Sequence, residues 1–528
     1  MHIDARTLDN GTLIEGDLCI IGGGAAGVSL ALEWIGSNRK VILLEGGGFN
    51  VEAQMQALYQ GKSLDRPYYP LQSVALHYFG GTTGHWAGFC STFDPIDFDE
   101  RSYVPHSGWP FNRAHLDPYY VRAGKFLELE STDFDVASLE KQDPEAKRLP
   151  LDQSVFFHKV WRFSSPTRVG TVYREPIVNA PNVHLYTYAK VVEIVPNEGV
   201  TAIDSLRAKT IDGKEHRVRA RHYVVACGAI HNARLLLASN SRAKRGVGND
   251  HDVVGRYFME HFEIVSAEVT FEAAQPFRLF QYPGRGRKGA RAELALQGDV
   301  QRKHQILNGT ASFQGGPLTG RENSRFASFS PDAEANVARE TASATRGAAG
   351  GARGGGGGGG RGAGAGAGGG AATPPTVYRM FTRQEQAPNP DSRILLSTER
   401  DALDMPQADL QWRMTPIDKR SIRVFYEVLG QELGRAKLGR VQLGEWLLDG
   451  DDMAWPTHLS AGWHNMGTTR MHTDPKQGVV DANSKVHGIA NLFVAGGSVY
   501  PTGGAVNPTL TLVALSLRLA DHLKKVVV

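Results

Sequence analysis

The sequence predicts a mixed α/β protein built from more than one domain. The N-terminus has the pattern of a strand, a glycine-rich turn, a helix and a second strand, which together form a βαβ unit. Short strand patterns dominate residues 151–225, 262–325 and 376–415, and the C-terminus returns to a strand followed by a helix. A chain of 528 residues has ample length for a large core and for about two to four domains.

The composition excludes several classes of protein. Lys and Arg number 58 against 55 Asp and Glu, and the net charge of +3 argues against an obligate nucleic-acid binder. The three cysteines are far apart and form no C-x-x-C zinc or haem pattern, which rules out a disulfide framework. The N-terminus has no apolar signal region, and no run of about 20 apolar residues occurs, so we expect neither a signal peptide nor a membrane span.

The first predicted element is a buried strand over residues 17–21, followed by a glycine-rich turn, a helix over 28–35 and a strand over 40–45. The turn is a G-x-G-x-x-G motif, which in this position is typical of dinucleotide binding. Gly22 permits the tight turn, Gly24 lets the backbone approach a pyrophosphate, and Gly27 lets helix and strand pack closely. The N-terminus of the helix offers unpaired N–H groups to the phosphates, and Ala25 and Ala26 of the turn are also expected to contact the cofactor.

An acidic residue at the end of the second strand supports the same interpretation. Glu45 can accept hydrogen bonds from ribose hydroxyls, which disfavours NADP because that cofactor carries a 2′-phosphate there. The motif alone leaves both NAD and FAD open.

The later elements follow from the same periodicity arguments. Residues 46–130 are rich in loops, glycine and aromatic residues, and a helix is expected to start at residue 233. Residues 418–447 are predicted to be helical, and the C-terminus to form a strand over 492–495 and a helix over 510–524. Residues 331–372 lack aromatic residues, Leu and Ile, so they are predicted to be a disordered Gly-rich insertion without a core of its own.

Three further sequence blocks favour FAD over NAD. They are GGTTGHW at residues 80–86, VVACGAI at 224–230, and HNMGTTRM at 464–471, followed by GVVDANSKVHGIANLFVAGGSVYPTGGAVNPTLT at 478–511. With the N-terminal turn, these blocks resemble the glucose–methanol–choline (GMC) family of FAD-dependent alcohol oxidoreductases. Within that family the third block is most similar to pyranose oxidase and to bacterial sugar or glycoside 3-dehydrogenases, and the resemblance is weakest across residues 265–380.

The resemblance implies a discontinuous, Rossmann-like FAD-binding domain into which an antiparallel-sheet substrate domain is inserted. It assigns residues 1–130, with the flavin-contacting loop, and 186–262 to the first and second parts of the FAD domain. Residues 456–528 form the C-terminal part of that domain with the catalytic residues. The substrate domain takes residues 131–185 and 263–455, including the insertion 331–372.

The resemblance also implies which residues hold FAD beyond the N-terminal turn. Gly80, Gly81 and Thr82 are expected to wrap the flavin through backbone N–H groups, and His85 to lie beside its ring. Pyranose oxidases bond such a histidine covalently to the flavin. A covalent bond is not favoured here, because Gly84 replaces a Thr of their block. The remaining expected contacts are Thr83, Trp86, Val192, Ala226, Gly228, Gly497, Ser498, Asn507, Pro508 and Thr509.

Oxidising an alcohol requires a base for the O–H proton and an acceptor for the C–H hydride, which a flavin supplies at N5. The resemblance places the base at His464 and its partner at Asn507. A neutral imidazole accepts a proton near pH 7, and an amide can hydrogen-bond the same hydroxyl without competing as a base. His231 and His261 are interpreted as structural histidines, and no metal-binding pattern is recognised.

These observations predict an FAD-dependent oxidoreductase that converts an alcohol, preferably a secondary hydroxyl of a sugar or glycoside, to a keto group. The alternatives are a pyranose or glycoside oxidase using dioxygen, a choline-type alcohol dehydrogenase, a non-redox flavoprotein lyase and a nicotinamide-dependent dehydrogenase. The expected partners are the alcohol, an external electron acceptor or dioxygen, and a small companion subunit such as some related dehydrogenases use. The expected location is the cytoplasm, or the periplasm if such a companion exports the chain.

Overall fold

The structure is a computed structural model that describes residues 1–273, 275, 277–282, 289–315, 377–457 and 459–527. The predicted insertion over residues 331–372 lies outside these ranges. Two large sheets and one two-stranded sheet organise the described part of the chain.

The strands are numbered in chain order. They are β1 (His2–Asp4), β2 (Leu13–Ile21), β3 (Val41–Leu44), β4 (Phe89–Cys90), β5 (Phe156–Phe163), β6 (Val183–Thr187), β7 (Lys190–Pro196), β8 (Ile203–Lys209), β9 (Glu215–Val225), β10 (His261–Phe271), β11 (Gly289–Leu296), β12 (Gly309–Gly315), β13 (Val377–Glu385), β14 (Arg393–Arg400), β15 (Pro406–Gln411), β16 (Gly439–Leu443), β17 (Ser460–Ala461) and β18 (Leu492–Val494).

The α-helices are numbered in the same way. They are α1 (Ala25–Leu32), α2 (Ala53–Gln56), α3 (Leu71–Val74), α4 (Pro95–Phe98), α5 (Asp117–Phe126), α6 (Val136–Gln142), α7 (Val169–Val172), α8 (Arg174–Asn179), α9 (Ala229–Ala238), α10 (Gly298–His304), α11 (Pro416–Arg435), α12 (Glu445–Leu448) and α13 (Thr509–Val526). Short 3₁₀ helices cover Ala5–Thr7, Ala57–Tyr59, Gly81–Gly84, Arg113–Leu116, Phe277–Phe280 and Gly497–Val499.

The first sheet has the strand order β1-β6-β3-β2-β9-β8-β7, with β18 also paired to β9. Strands β1, β6, β3, β2, β9 and β18 run parallel, and β7, β8 and β9 form an antiparallel meander. The apolar runs that end β2 and make up β3 are buried, as is usual at the centre of a parallel sheet. Since β2 and β18 both pair with β9, this sheet joins the two ends of the chain.

The second sheet is antiparallel throughout and has the order β16-β10-β13-β12-β11-β5-β4, with β17 paired to β10. Helix α11 packs against β16, β13 and β12 through buried residues that include Ile422, Phe425 and Leu429. This helix starts where the sequence specifies it, because Thr415 and Asp418 form a capping box and Pro416 occupies the first turn. No helix in the described ranges is long and apolar enough to span a bilayer.

Three sequence-based expectations are wrong in detail. The helix predicted over 418–447 ends at Arg435, and strand β16 follows it. Half-buried and exposed side chains alternate along β16, and its backbone pairs with β10, which explains why this segment is a strand. The boundary predicted at residue 185 falls within β6, which pairs with β1 and β3 in the first sheet. Strands β4 and β17 lie in segments assigned to the FAD domain but pair within the second sheet.

Candidate active site

The glycine-rich turn between β2 and α1 is closed tightly by its neighbours. Gly22 has φ +112°, and a Cβ there would lie 2.5 Å from the carbonyl oxygen of Ala226 at the end of β9. A Cβ on Gly27 would lie 1.9 Å from the carbonyl oxygen of Gly22, so only glycine lets α1 start this close to β2. A Cβ on Gly24 would meet no atom of the described chain within 4 Å, because Gly24 faces a cavity.

This cavity has a volume of about 650 Å³ and lies between the two large sheets. Its size is in the usual range of ligand-binding sites. The structure brings most of the sequence-predicted site residues to its wall. They are Gly22, Gly24, Ala25, Ala26, Glu45, Gly81, Thr82, Thr83, His85, Trp86, Ala226, Gly228, His464, Gly497, Asn507, Pro508 and Thr509.

Four residues predicted to contact FAD do not line the cavity, and each has another packing role. Gly27 packs on Gly22, and Val192 is buried within β7 of the first sheet. Gly80 has φ +101°, and a Cβ there would lie 2.5 Å from the backbone nitrogen of Gly170. The buried hydroxyl of Ser498 contacts the side chains of Thr469 and Asn232. These residues hold the wall in place from behind.

Glu45 lies on the cavity wall with its carboxylate buried. Its Oε2 accepts the backbone N–H of Gly23 at 2.9 Å, and its Oε1 accepts the backbone N–H of Gly47 at 2.8 Å. Burial raises the pKa of Glu45, and the two backbone N–H groups oppose that rise. Because a carboxylate oxygen can accept more than one hydrogen bond, Glu45 retains acceptor capacity for a hydroxyl in the cavity.

The loop around His85 is fixed by the segment that precedes α7. The Arg168 guanidinium donates to the carbonyl oxygens of Thr83, at 2.7 Å, and Trp86, at 2.9 Å. The Trp86 indole in turn donates to the carbonyl of Thr167 at 2.8 Å. The His85 ring is thus held at the cavity wall, where burial lowers its pKa to about 4 and its Nε2 has no hydrogen-bond partner among the described residues.

Asn232 in α9 ties the middle of the chain to its C-terminal part. Its Oδ1 accepts the backbone N–H of Cys227 at 2.7 Å. Its Nδ2 donates to the carbonyl oxygen of Ala495 at 3.1 Å and to the Ser498 hydroxyl at 2.9 Å. One buried amide therefore fixes the ends of β9 and β18. The turns that follow these two strands, at 226–228 and 496–497, line the cavity.

The predicted catalytic pair is assembled in the cavity. His464 Nε2 lies 2.8 Å from Asn507 Nδ2, and Asn507 Oδ1 accepts the indole N–H of Trp161 at 3.3 Å. On the other side of the His464 ring, Nδ1 lies 2.8 Å from Nδ1 of His261. Burial lowers the pKa of His464 well below its usual value, and the charge of Arg383 adds to this effect, so the ring is neutral near pH 7.

A buried carboxyl group supports the segment that carries His464. Glu260 accepts the backbone N–H of His464 at 2.5 Å and the hydroxyl of Tyr68 at 2.6 Å. The Tyr68 oxygen accepts the side-chain N–H of Asn465, a cavity residue, at 2.8 Å. Burial raises the pKa of Glu260 to about 8, so removing this carboxyl from water is costly and its hydrogen bonds are needed.

The second sheet supplies a polar and aromatic wall that faces the catalytic pair. Arg383 donates to Glu263 at 2.8 Å, and its guanidinium lies 5.6 Å from the ring centre of Trp161. Arg383 Nη1 is buried and has no hydrogen bond within the described residues. The other side chains of this wall are Phe89, Tyr282, Arg291, Ser312, Gln314, Phe381 and Trp463.

Comparison with known proteins agrees with this geometry. The model of the GMC oxidoreductase family matches residues 388–516, and that of FAD-dependent oxidoreductases matches residues 17–250. The fructose dehydrogenase large subunit of Gluconobacter japonicus is 24% identical, across 97% of this chain and 98% of its own length. The C-glycoside 3-oxidase of Microbacterium trichothecenolyticum is 25% identical, across 84% of this chain and 74% of its own length.

A solved structure of formate oxidase from Aspergillus oryzae shares the fold, with a TM-score of 0.55 at 16% identity over 98% of this chain and 99% of that one. The chain thus combines an FAD-dependent oxidoreductase domain with a GMC-type C-terminal domain. It is an FAD-dependent oxidoreductase that acts on CH–OH donors. The predicted fold, an FAD-binding domain combined with an antiparallel-sheet domain, is confirmed.

The residues of this GMC oxidoreductase fit FAD. Like Gly24, Gly228 and Gly496 present backbone without a side chain, and a Cβ on Gly228 would meet no described atom within 4 Å. The N-terminus of α1 lies beside these open positions, where its N–H groups and dipole favour a pyrophosphate. Glu45 would accept from the ribose. The described residues contain no group of three or more His, Cys, Asp or Glu that could hold a metal ion.

Sequence reasoning missed several residues of the site. His261, interpreted as structural, contacts His464, and His231 lines the cavity. Trp161 and Arg383 were not recognised at all, because they come from β5 and β13, outside the four motifs. The only sequence signal for His261 was its position at the end of the block VGRYFMEH, directly before a strand pattern.

Proposed function

We propose that this GMC oxidoreductase oxidises a secondary hydroxyl of a sugar or glycoside to a keto group, with His464 as the base and Asn507 as its partner. The observation that carries the proposal is the cavity itself. It presents a neutral imidazole and an amide on one side and a row of polar and aromatic side chains on the other. A reacting hydroxyl at His464 would leave the rest of the substrate against the second sheet.

The composition of that opposing wall supports a substrate with several hydroxyl groups. Glu263, Arg383 and Gln314 supply acceptors and donors that suit neighbouring hydroxyls. Arg383 Nη1 lies 3.6 Å from a carboxylate oxygen of Glu293 and makes no hydrogen bond among the described residues. Trp463 and Tyr282 add flat apolar surface for the C–H face of a sugar ring. The names of the relatives, fructose dehydrogenase and C-glycoside 3-oxidase, support the same substrate class.

The choline alternative is less compatible with the same wall. Two guanidinium groups, of Arg383 and Arg291, line the cavity. A quaternary ammonium substrate would lie near these like charges and would need a free anionic group to offset them. Here Glu263 and Glu293 are already paired with the two arginines, so their charge is not available to a cation.

The chain's own residues handle the proton of the reaction. Bound FAD would supply the acceptor for the C–H hydride. The substrate hydroxyl donates to the single lone pair of His464 Nε2, and its proton passes there as the carbonyl forms. Asn507 Nδ2, which contacts Nε2 in this structure, moves its hydrogen bond to the substrate oxygen, where negative charge develops.

An anaerobic bleaching screen tests the substrate class. The purified yellow protein is mixed without dioxygen with glucose, fructose, methyl and aryl glucosides, and choline. At least one sugar or glycoside should bleach the flavin and yield a keto sugar, and choline should not. Bleaching by choline alone, or by none of the sugars, contradicts the proposal. Admitting air to the bleached sample then separates an oxidase, which recovers its colour at once, from a dehydrogenase.

We further propose that the chain works with a companion subunit, which would also carry it to the compartment where it acts. Support comes from the relative whose name is a large subunit. The protein isolated from its natural source should then elute as a complex larger than its own 57.4 kDa, with a second polypeptide in fixed ratio. Elution of the active protein as this chain alone contradicts the proposal.

A further inference from the structure

The hydrogen bonds around His261 determine where its proton lies. His261 Nε2 lies 2.8 Å from the carbonyl oxygen of Gly504 and 3.2 Å from that of Gly503. Carbonyl oxygens only accept, so Nε2 must carry a hydrogen. The ring is fully buried, and burial lowers its pKa to about 4, so His261 is neutral and its Nδ1 holds a lone pair.

The lone pair of His261 in turn determines the tautomer of His464. The two Nδ1 atoms lie 2.8 Å apart, and one of them must donate. Since His261 Nδ1 is the acceptor, His464 Nδ1 carries the hydrogen. A neutral His464 then has its lone pair on Nε2, the atom that faces Asn507 in the cavity.

The hydrogen bonds on the other side of His464 independently indicate the same tautomer of its ring. The indole nitrogen of Trp161 can only donate, and it lies 3.3 Å from Asn507 Oδ1. The amide nitrogen of Asn507 therefore faces His464, and because Nδ2 is a donor, His464 Nε2 must be an acceptor. A donor-only group at one end and an acceptor-only group at the other thus fix every proton between them.

From this we infer that His261 is a positioning residue, which holds His464 in the tautomer whose Nε2 can take the substrate proton. The inference rests on the proposed role of His464 as the base. The series of hydrogen bonds, each donated in the same direction, runs from Trp161 through Asn507, His464 and His261 to the carbonyl of Gly504. When the proton of the alcohol reaches Nε2, the Nδ1–H of His464 stays bonded to His261, so the charged ring keeps its partner.

A neutral imidazole in this position acts differently from a carboxylate. A carboxylate next to Nδ1 would orient the ring but would also favour its protonated form and so reduce the fraction of free base at mildly acidic pH. The ionisable groups that face the two rings are Arg383 on β13, Glu385, which pairs with Arg101 at 2.7 Å, and Glu260. All of these groups remain in place when only His261 is changed.

Two variants of the holoenzyme test the inference. His261→Phe keeps a ring but removes both hydrogen bonds, whereas His261→Gln retains one acceptor for His464 and one donor for Gly504. We expect His261→Phe to lower the rate of flavin reduction at saturating substrate by about 10- to 100-fold, because a charge-assisted hydrogen bond is lost in the transition state. His261→Gln should restore most of that rate. FAD content and the substrate dissociation constant should stay near the parental values in both.

A spectroscopic readout separates positioning from stability. In protein labelled with ¹⁵N-histidine, the His464 resonances, assigned by their loss in His464→Gln, should show an Nδ1–H tautomer in the parent and in His261→Gln. His261→Phe should show a mixture or the Nε2–H form. As a control, His158→Phe removes a buried histidine of β5 that donates to none of these residues, and it should change the melting temperature but not the reduction rate.

The outcomes separate this inference from the proposed function. A parental reduction rate in His261→Phe, together with a strong loss in His464→Ala, overturns the positioning role alone. An Nε2–H tautomer of His464 in the parent overturns it as well. A parental rate in His464→Ala overturns the proposed function, on which the inference rests. If His261→Phe fails to fold, the rate of His261→Gln and the parental tautomer still decide the question.

Discussion

Burial changes the acid–base behaviour of His464. The ring loses its hydration, and Arg383 disfavours a second positive charge nearby, so the pKa falls well below the usual value of 6.5. A histidine in water would be largely protonated under mildly acidic conditions, but this one remains a base. Its surroundings therefore widen the pH range over which a proton can be accepted, while lowering the intrinsic strength of the base.

The pH dependence of flavin reduction follows from this direction. In the proposed role of His464 as the base, only its neutral form accepts the proton. Since burial lowers its pKa well below 6.5, the rate constant should stay level as the pH falls through 6.5. It should decline only at distinctly lower pH. Stopped-flow reduction at saturating substrate measures this directly. A rate that already halves at pH 6.5 or above would show that the base has an ordinary histidine pKa.

Removing the base and removing its partner should have unequal effects. His464→Ala should lower the rate constant of flavin reduction by about 10²- to 10⁴-fold, the usual contribution of a general base. Asn507→Ala should cost about 10- to 100-fold, because an amide only positions the hydroxyl and bonds the developing charge. Flavin absorbance per protein serves as the control, since loss of FAD would also reduce activity. Equal effects of the two changes would argue against separate roles.

The predictability of single residues depends on whether a motif carries them. The positions of His464 and Asn507 at the cavity could be predicted because each lies in a block with family-specific neighbours. Trp161 and His261 could not, since their roles exist only where β5 and β10 of the second sheet meet the segment before α13. No local sequence pattern indicates this contact between distant segments. Without it, His261 is indistinguishable from an ordinary core histidine.

Among the elements, the turn between β2 and α1 shows two different uses of glycine. Gly27 is required by the protein itself, since a Cβ there would collide with the Gly22 carbonyl at 1.9 Å. At Gly24 the protein leaves room, because no described atom lies within 4 Å of the position of a Cβ. The space at Gly24 is therefore available to a ligand, which we expect to be the pyrophosphate of FAD.

This difference can be measured with alanine variants. Gly24→Ala should fold with a near-parental melting temperature in the absence of cofactor but bind FAD at least about 10-fold more weakly, because a methyl group blocks the approach of the pyrophosphate. Gly27→Ala should lose folded protein altogether. The control is Gly434→Ala at an exposed position of α11, which should be neutral or slightly stabilising. Unchanged FAD affinity in Gly24→Ala would place the pyrophosphate elsewhere.

Elements with local signals were predicted well, and those that depend on partners were not. The βαβ start, β18 and α13 have apolar runs and glycine or proline boundaries that specify them locally. The stretch after Arg435 was predicted to continue α11, although Val441 and Leu443 are two residues apart and so alternate as in a strand. Their strand conformation comes from pairing with β10, a contact remote in sequence.

For the whole molecule, the pairing of β12 with β13 bears on the long segment between them. Gly315 and Tyr378 are in register at the end of an antiparallel pair, so the two strand ends lie side by side. A chain connecting such ends needs only a few residues. The fold of the second sheet therefore does not require the length of the intervening sequence.

Replacing residues 331–372 by a short Gly/Ser linker should accordingly leave the protein soluble, loaded with FAD and close to the parental melting temperature. The replaced sequence offers little apolar surface to offset the entropy of ordering it. Flavin content and thermal melting measure the outcome, and a linker of the same length as the original serves as the control. Loss of flavin-loaded protein with the short linker but not with the long one would show that the length itself is needed.

The joining of both chain ends in the first sheet also determines when the enzyme can mature in a cell. Strand β2 and α1 leave the ribosome early, whereas β18, Asn507 and α13 leave it late. At about 5–20 residues per second, synthesis of 528 residues takes roughly 25 to 100 seconds. During that time the nascent FAD domain lacks the helix that packs on α1 and keeps apolar surface exposed. Capture of FAD in the complete cavity therefore waits for the segment that carries Gly497 and Asn507.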